Sequence, residues 1–210
     1  MLTDVRSRAN RLTRSRVRAR NGLGKEPMSR LLNFAMFYLG WFACVVGAAR
    51  GALWLGPAVV AALLFVHLAL TPKRTQETRL ILVIGLFGFV VDTLQASAGL
   101  YAFTRTSVAP WLCPPWMVAL WMVFATTLNA SMAWLTGRYG LAAALGALCG
   151  PASYLAGARF GAIELPANAL ASLVGIAITW AVAMPTLLLF RDLLSTPRVR
   201  VQLGRPARAL

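Results

Sequence analysis

The chain has 210 residues, of which 59% are hydrophobic and 13% are charged, and its formal net charge is +15. A soluble globular domain carries about 25% charged residues, so this balance excludes an ordinary soluble domain and indicates a membrane protein. The Lys and Arg residues lie almost wholly between apolar runs and at the two ends of the chain. We therefore expect the charge to reflect membrane topology and not specific binding of nucleic acid.

The chain begins with a basic segment, residues 1–28. Residues 1–27 carry seven Arg and one Lys against Asp4 and Glu26. Because this segment has no apolar core of its own, it is not a cleavable secretory signal. We predict a disordered cytoplasmic tail that is attracted to anionic lipid. Two alternatives stay open: an organellar transit peptide, and a translation start at Met28.

From residue 31 onward, apolar runs alternate with short polar connections. Each run is close to the ~20 residues that cross the hydrocarbon core of a bilayer as a helix. We therefore predict an all-α, polytopic membrane protein: a compact bundle of six transmembrane helices within one domain, residues 29–191, followed by a basic cytoplasmic tail, residues 192–210. The predicted spans are 31–49, 52–70, 80–103, 110–135, 139–158 and 169–190.

The distribution of Lys and Arg predicts the orientation of this bundle. If the N-terminus is inside, the cytoplasmic side receives 18 of the 21 Lys and Arg residues. Cytoplasmic segments of membrane proteins carry an excess of these residues. Both termini are therefore predicted to be cytoplasmic, and the predicted location is the bacterial inner (cytoplasmic) membrane.

A few polar side chains within the spans form the candidate site. Asp92 is the only acid inside a predicted span, and a carboxylate near the bilayer centre costs ~2.5–3.5 kcal/mol on insertion scales. Gln95 lies one turn further on the same helix face. Asn33 and Asn129 complete the candidate site, although their predicted depth is nearer the cytoplasm. Gln95 and groups on the first and fifth helices are thus the expected partners of Asp92.

The role of Asp92 stays open between two alternatives. It is either a neutral, hydrogen-bonded carboxyl that fixes the register of the helices, or a proton-coupled or substrate-binding carboxylate. The single histidine, His67, cannot supply with Asp92 the convergent ligands of an ordinary metal site. We therefore predict no catalytic residue, no cofactor and no metal.

Small residues and tryptophans indicate how the helices pack. Ala142, Gly146 and Gly150 recur at a spacing of four, which lets helix backbones approach closely. Tight packing within one chain is the simpler interpretation, and a homodimer interface is the alternative. Trp116 is expected near the outer interface, whereas a deep indole such as Trp180 needs a partner for its N–H.

Three stretches and the central Asp of the third helix resemble a known family. The stretches NFAMFYLGWFACVVGAARG, PPWMVALWMVFATTLNASMAWL and GPASYLAGARFGA are similar to small bacterial inner-membrane proteins, the domain-of-unknown-function family 2878. The resemblance covers about residues 29–190. It implies a multi-helix inner-membrane protein without an established activity, encoded near genes for cyclopropane-fatty-acid-type lipid modification. No catalytic residue follows from it.

Two functions from different classes are left. The first is a non-catalytic accessory or binding component of the inner membrane, linked to lipid modification. Its expected partners are membrane lipids, and a second copy of the chain or a larger membrane complex is a further partner. The alternative is a small transporter or lipid-handling protein that uses Asp92 as a proton- or substrate-linked site. An enzyme acting on lipid is a third hypothesis, and it requires Asp92 to meet Asn129 or Asn33.

Overall fold

The computed structural model describes residues 26–105 and 109–195. This part of the chain is all-α, as predicted, and the two predicted tails lie largely outside the described residues. The helices are α1 (Glu26–Ala49), α2 (Leu55–Leu70), α3 (Arg74–Ser97), α4 (Pro115–Leu128), α5 (Tyr139–Phe160) and α6 (Ala169–Ser195). A short 3-10 helix, Ala133–Leu135, follows α4, and two-residue strands β1 (Ala102–Phe103) and β2 (Ile163–Glu164) pair antiparallel.

Four of these helices are long and apolar enough to cross a membrane: Arg30–Ala49 within α1, and the whole of α3, α5 and α6. The other two, α2 and α4, are apolar but have only 16 and 14 residues. Many large apolar side chains, such as Phe65, Leu148 and Leu170, lie on the outer surface of the bundle. An apolar surface of this extent is typical of contact with lipid and not with water.

The predicted boundaries of the third helix are wrong at both ends, because α3 begins at Arg74 and ends at Ser97. Its first turns are polar, so the apolar run alone placed the start too late. At the other end Gly99 adopts a positive φ of 74°, which ends the helix after a last turn in which Leu100 N–H donates to Gln95 O. Asp92 therefore lies near the end of α3 and not near its middle.

Polar contacts at one end of the bundle show that successive helices run in opposite directions. Near the start of α1, Asn33 contacts Ser131, which follows α4. Near the start of α3, Gln76 donates to the Leu194 carbonyl at the end of α6. Tyr139, at the start of α5, donates to Asp192 of α6. The odd-numbered helices thus begin at this end, and the even-numbered helices finish there.

Helix α4 lies at the centre of the bundle and packs against α1, α2 and α3, while α5 and α6 form a close hairpin. The small residues of α5 make this hairpin close. A Cβ added at Gly146 or Gly150 would lie only 2.2 or 2.4 Å from atoms of Trp180 on α6. The predicted packing of this face within one chain is thus confirmed. By contrast, α1 approaches α5 at only a few points, which leaves a groove between them.

Candidate functional sites

Asp92 is the centre of a buried hydrogen-bonded cluster. Its side chain is fully buried and accepts from donors on four different parts of the chain. Oδ1 accepts from Tyr101 Oη at 2.7 Å, from Gln95 Nε2 at 3.3 Å and from Tyr154 Oη. Oδ2 accepts from Trp121 Nε1 at 2.6 Å. The carboxyl thus ties α3 to the chain that follows it, to α4 and to α5.

The surroundings of this cluster hold its donors in place. The ring of Trp121 stacks on Trp180 of α6, with centroids 4.9 Å apart and planes 11° from parallel. Gly88, one turn before Asp92, leaves the room that the Trp121 ring occupies. Burial raises the pKa of Tyr101 well above its usual value, and the nearby Asp92 adds to this rise, so the Tyr101 hydroxyl stays a hydrogen-bond donor.

The structure pairs Asp92 with Gln95, as predicted, and it places Asn33 and Asn129 away from Asp92, in agreement with their different predicted depth. Asn33 Nδ2 donates to Thr126 Oγ1 at 3.1 Å, and its Oδ1 accepts from Ser131 Oγ at 2.8 Å. Both asparagines lie at the end of the bundle where α1 and α3 begin. The polar cluster that the lipid-enzyme hypothesis requires is therefore not formed by these residues.

Asn33 and Asn129 instead line a polar cavity of about 590 Å³. Glu77, a buried acid on the first turns of α3, forms part of its wall. Asn129 Nδ2 donates to Glu77 Oε1 at 2.8 Å, and His67 Nε2 lies 3.4 Å from Glu77 Oε2. Among the described residues, no group of three or more His, Cys, Asp or Glu side chains could hold a metal ion.

Sequence reasoning missed Glu77, because the connection between the second and third predicted spans included it. A signal was present: Glu77 is the one acid in the stretch that also contains Lys73, Arg74 and Arg79. An acid at this position, ten residues after the single histidine, can pair with a side chain of a neighbouring helix. The structure shows contacts of Glu77 with His67 of α2 and with Asn129 at the end of α4.

A second cavity, of about 570 Å³, is the groove between α1 and α5, and α4 and α6 form its floor. Its lining is aromatic and aliphatic, and none of the described residues that line it is charged. Trp41 Nε1 of α1 donates to Ser153 Oγ of α5 at 3.1 Å. Trp121 and Tyr154 belong to the wall of the groove and also hold Asp92, so the carboxyl lies directly behind this wall.

A family model described as "Protein of unknown function (DUF2878)" matches residues 30–186. The chain belongs to the DUF2878 family. This is the family that the sequence resembles, and the match confirms the resemblance. The comparisons with curated proteins and with solved structures give no match.

The DUF2878 match contains all of α2, α3, α4 and α5 and most of α1 and α6. It includes Asp92 with its four donors, and it includes the His67, Glu77 and Asn129 contacts of the polar cavity. Of the two cavities in this DUF2878 chain, the groove has the more apolar lining, and none of its described lining residues is charged. It is the stronger candidate for a binding site of a membrane-soluble molecule.

Proposed function

We propose that the protein crosses the bacterial inner membrane six times, with both termini in the cytoplasm. The alternating direction of the helices supports this, because α2 has to connect the far end of α1 with the start of α3. Its 16 residues extend about 24 Å along a helix axis, which a locally thinned bilayer accommodates. The end where α1 and α3 begin is also the basic end in the count of Lys and Arg.

Reporter fusions test this topology in living cells. A fluorescent protein fused after residue 195 should fluoresce, and alkaline phosphatase at the same place should be inactive, because both would be cytoplasmic. Phosphatase inserted between β1 and α4, near residue 107, should be active. An active phosphatase at the C-terminal fusion would contradict six crossings with both termini inside.

We propose that this membrane protein is a lipid-binding accessory component that holds one apolar chain in the groove. The groove volume of about 570 Å³ lies within the ~300–1,000 Å³ of typical ligand sites. Tyr38 and Phe42 of α1 and Cys149 and Phe160 of α5 line the groove and are also exposed on the outer surface. This exposure at the depth of the apolar helices supports an opening toward lipid.

The link to membrane lipid modification is the part of this proposal that follows from the family resemblance. A groove that holds a lipid chain is suited to a component that presents lipid to a modifying system, or removes the product. The proposal assigns no catalytic residue and no cofactor to the chain. Membrane lipids are the proposed partner, together with another membrane component or a second copy of the chain.

A second candidate function is a small transporter or lipid-handling protein in which Asp92 is proton- or substrate-linked. The observation that favours it is the position of Tyr154, whose hydroxyl donates to Asp92 while its side chain lines the groove. A molecule in the groove that contacts Tyr154 would thereby alter the hydrogen bonds of Asp92. In that case the groove would still hold the lipid, and Asp92 would respond to it.

Photo-crosslinking tests the lipid-binding proposal. The purified protein is placed in nanodiscs of phosphatidylethanolamine and phosphatidylglycerol with a trace of a diazirine-bearing phospholipid. Cys149→Phe puts a bulky ring into the groove, so we expect several-fold less crosslinking to groove peptides. Leu148→Phe is the matched control, since Leu148 is an exposed neighbour outside the groove lining, and it should crosslink like the wild type. Equal crosslinking in both variants would overturn the proposal.

A further inference from the structure

The polar cavity, at the end of the bundle where α1 and α3 begin, is lined by groups of both charges. Glu77 is the only acid among the described residues of its lining, and the cations Arg30 and Lys73 line it as well. Both cations are exposed residues, whereas Glu77 is buried. The cavity therefore presents a carboxyl group in its wall and positive charge toward its edge.

Contacts from two other helices hold the Glu77 side chain in this wall. Its Oε1 accepts from Asn129 Nδ2 at 2.8 Å, and its Oε2 lies 3.4 Å from His67 Nε2. A carboxylate has roughly four acceptor positions, so these contacts leave capacity for a further donor. The side chains of Glu77 and His67 keep 13% exposure or less, and all three residues line the cavity. The accessible part of Glu77 is thus reached from within the cavity.

Lys73 lies one helical turn before Glu77. Glu77 N–H donates to the Lys73 carbonyl, so the two residues are ~5.4 Å apart along the axis of α3. Within the described part of the chain their side chains form no ion pair, and the Glu77 carboxyl contacts Asn129 and His67 instead. A molecule that carries a positive and a negative group a few atoms apart is complementary to both residues.

Apolar side chains of α1 and α2 form another part of the cavity lining. Leu32 and Leu70 are 51% and 70% exposed and belong to the apolar outer surface of the bundle. A surface of this kind suits acyl chains. The polar groups of the cavity lie where the helices begin, which is the level of the lipid head groups. The cavity thus adjoins both the head-group region and the lipid-facing surface.

We infer that this cavity binds the head group of phosphatidylethanolamine, whose primary ammonium and phosphate groups match its charges. The ammonium donates to the Glu77 carboxylate, the phosphate accepts from Lys73, and Arg30 adds positive charge beside the phosphate. The acyl chains lie along Leu32 and Leu70. This site is separate from the groove between α1 and α5, because the two linings share no residue. The inference therefore goes beyond the proposed function.

Native mass spectrometry of the full-length protein in detergent provides the measurement. Dioleoyl phosphatidylethanolamine, its N,N-dimethyl derivative and dioleoyl phosphatidylcholine are added separately at equal concentration. The three lipids share their acyl chains and phosphate, but their nitrogen atoms carry three, one and no N–H donors, so chain binding in the groove contributes equally. We expect the ratio of singly lipid-bound to free protein to fall in this order, by at least about 3-fold from first to last, because charge-assisted hydrogen bonds are lost.

Variants assign this preference to the cavity. Glu77→Gln keeps the shape of the side chain and removes its charge, so the preference for phosphatidylethanolamine over phosphatidylcholine should disappear. Glu164→Gln is the matched control, because Glu164 is an exposed acid on β2 outside the cavity lining, and it should keep the full preference. Lys73→Gln should weaken all three lipids alike, because each carries the phosphate. Arg79→Gln, at an exposed cation outside the lining, should weaken none.

Soluble glycerophosphoethanolamine distinguishes a lipid from a free head group. It carries the same ammonium and phosphate groups without acyl chains, so at equal concentration it should not displace phosphatidylethanolamine. Displacement at equal concentration overturns the lipid as the ligand and assigns the cavity to a soluble phosphoamine.

The outcomes separate this inference from the proposed function. Equal binding of the three lipids by the wild-type protein overturns the head-group inference and leaves lipid binding in the groove standing. A preference that Glu77→Gln retains overturns the role of the polar cavity. If Glu77→Gln does not accumulate, the lipid series with the wild-type protein and with Lys73→Gln decides. No binding of any of the three lipids overturns the proposed function as well.

Discussion

Asp92→Ala should cause the largest loss of stability among single substitutions in the polar cluster. It removes the acceptor of Tyr101, Gln95, Trp121 and Tyr154 in a fully buried place. Each buried donor left unpaired costs ~1–3 kcal/mol, so we expect a total of at least ~3 kcal/mol. For a chain of this size that lowers the thermal unfolding midpoint by roughly 10 °C. The midpoint in detergent and the amount in the membrane measure the effect.

Asp92→Asn is the matched control, because it keeps an acceptor of the same shape. Its Oδ1 can accept from Trp121, while its Nδ2 can donate to Gln95 once the Gln95 amide rotates. Gln95 Oε1 has no partner among the described residues, so this rotation supplies one. The Nδ2 atom also replaces the oxygen that accepts from the hydroxyls of Tyr101 and Tyr154, so these hydroxyls lose that acceptor and can only accept from Nδ2. We expect a loss that is smaller than that of Asp92→Ala by at least ~1 kcal/mol. If Asp92→Ala were as stable as Asp92→Asn, the cluster would not hold the helices together.

The same pair of variants distinguishes the two candidate functions. If Asp92 only holds the bundle, Asp92→Asn should crosslink lipid in the groove like the wild type. It should also restore the wild-type phenotype when it is expressed in a deletion strain. If Asp92 is proton-linked, Asp92→Asn should accumulate normally in the membrane but fail to restore the wild-type phenotype of the deletion strain. The lipid composition of the deletion strain is the phenotype to measure first.

Gly88→Ala should be the most damaging of the glycine substitutions in α3. A Cβ at this position would lie 2.1 Å from Cγ of Trp121, inside the ring system that donates to Asp92 and stacks on Trp180. A ring buried on both faces cannot move away as a flexible chain does, so the helices must separate or Trp121 must leave Asp92. We expect a loss of about 3 kcal/mol, at the upper end for overpacking, measured as a lower unfolding midpoint.

Gly85→Ala is the control on the same helix. Its Cβ would meet Met122 Cγ at 2.8 Å, and the unbranched methionine side chain can adopt another rotamer. We expect the unfolding midpoint of Gly85→Ala to stay within a few degrees of the wild type. Equal destabilisation by Gly85→Ala and Gly88→Ala would contradict the specific role assigned to Trp121.

The sequence predicted the fold class because long apolar runs have few alternatives to helices in a membrane. It also predicted that a carboxyl in such a run needs partners. It predicted a partner on the fifth helix, where Tyr154 lies, but it also predicted one on the first helix, and none of the described donors to Asp92 belongs to α1. It could not identify Tyr101 and Trp121, because the depth of Asp92 depends on where α3 begins. Polar first turns from Arg74 to Thr78 belong to the helix, although hydropathy alone begins the span only after them.

The structure separates Asn33 and Asn129 from Asp92, although the sequence analysis had placed them in one candidate site. Asn33 and Asn129 were grouped with Asp92 because intramembrane polar residues are few, yet their partners are Thr126, Ser131 and Glu77. Which polar residues meet depends on helix rotation and on depth. Position along a span indicated the depth of both asparagines, but helix rotation is not encoded in the apolar pattern when exposed and buried faces are equally hydrophobic. The groove could not be predicted either, because it results from how few points of contact α1 and α5 make.

The most direct test of lipid binding in the groove is to map the crosslinked residues of the wild-type protein in nanodiscs. We expect the diazirine phospholipid to attach mainly to α1 near Tyr38 and Phe42 and to α5 near Cys149, and we expect unlabelled methyl oleate to compete for these adducts. Adducts spread over all lipid-facing helices in proportion to exposure, and unaffected by methyl oleate, would contradict the account.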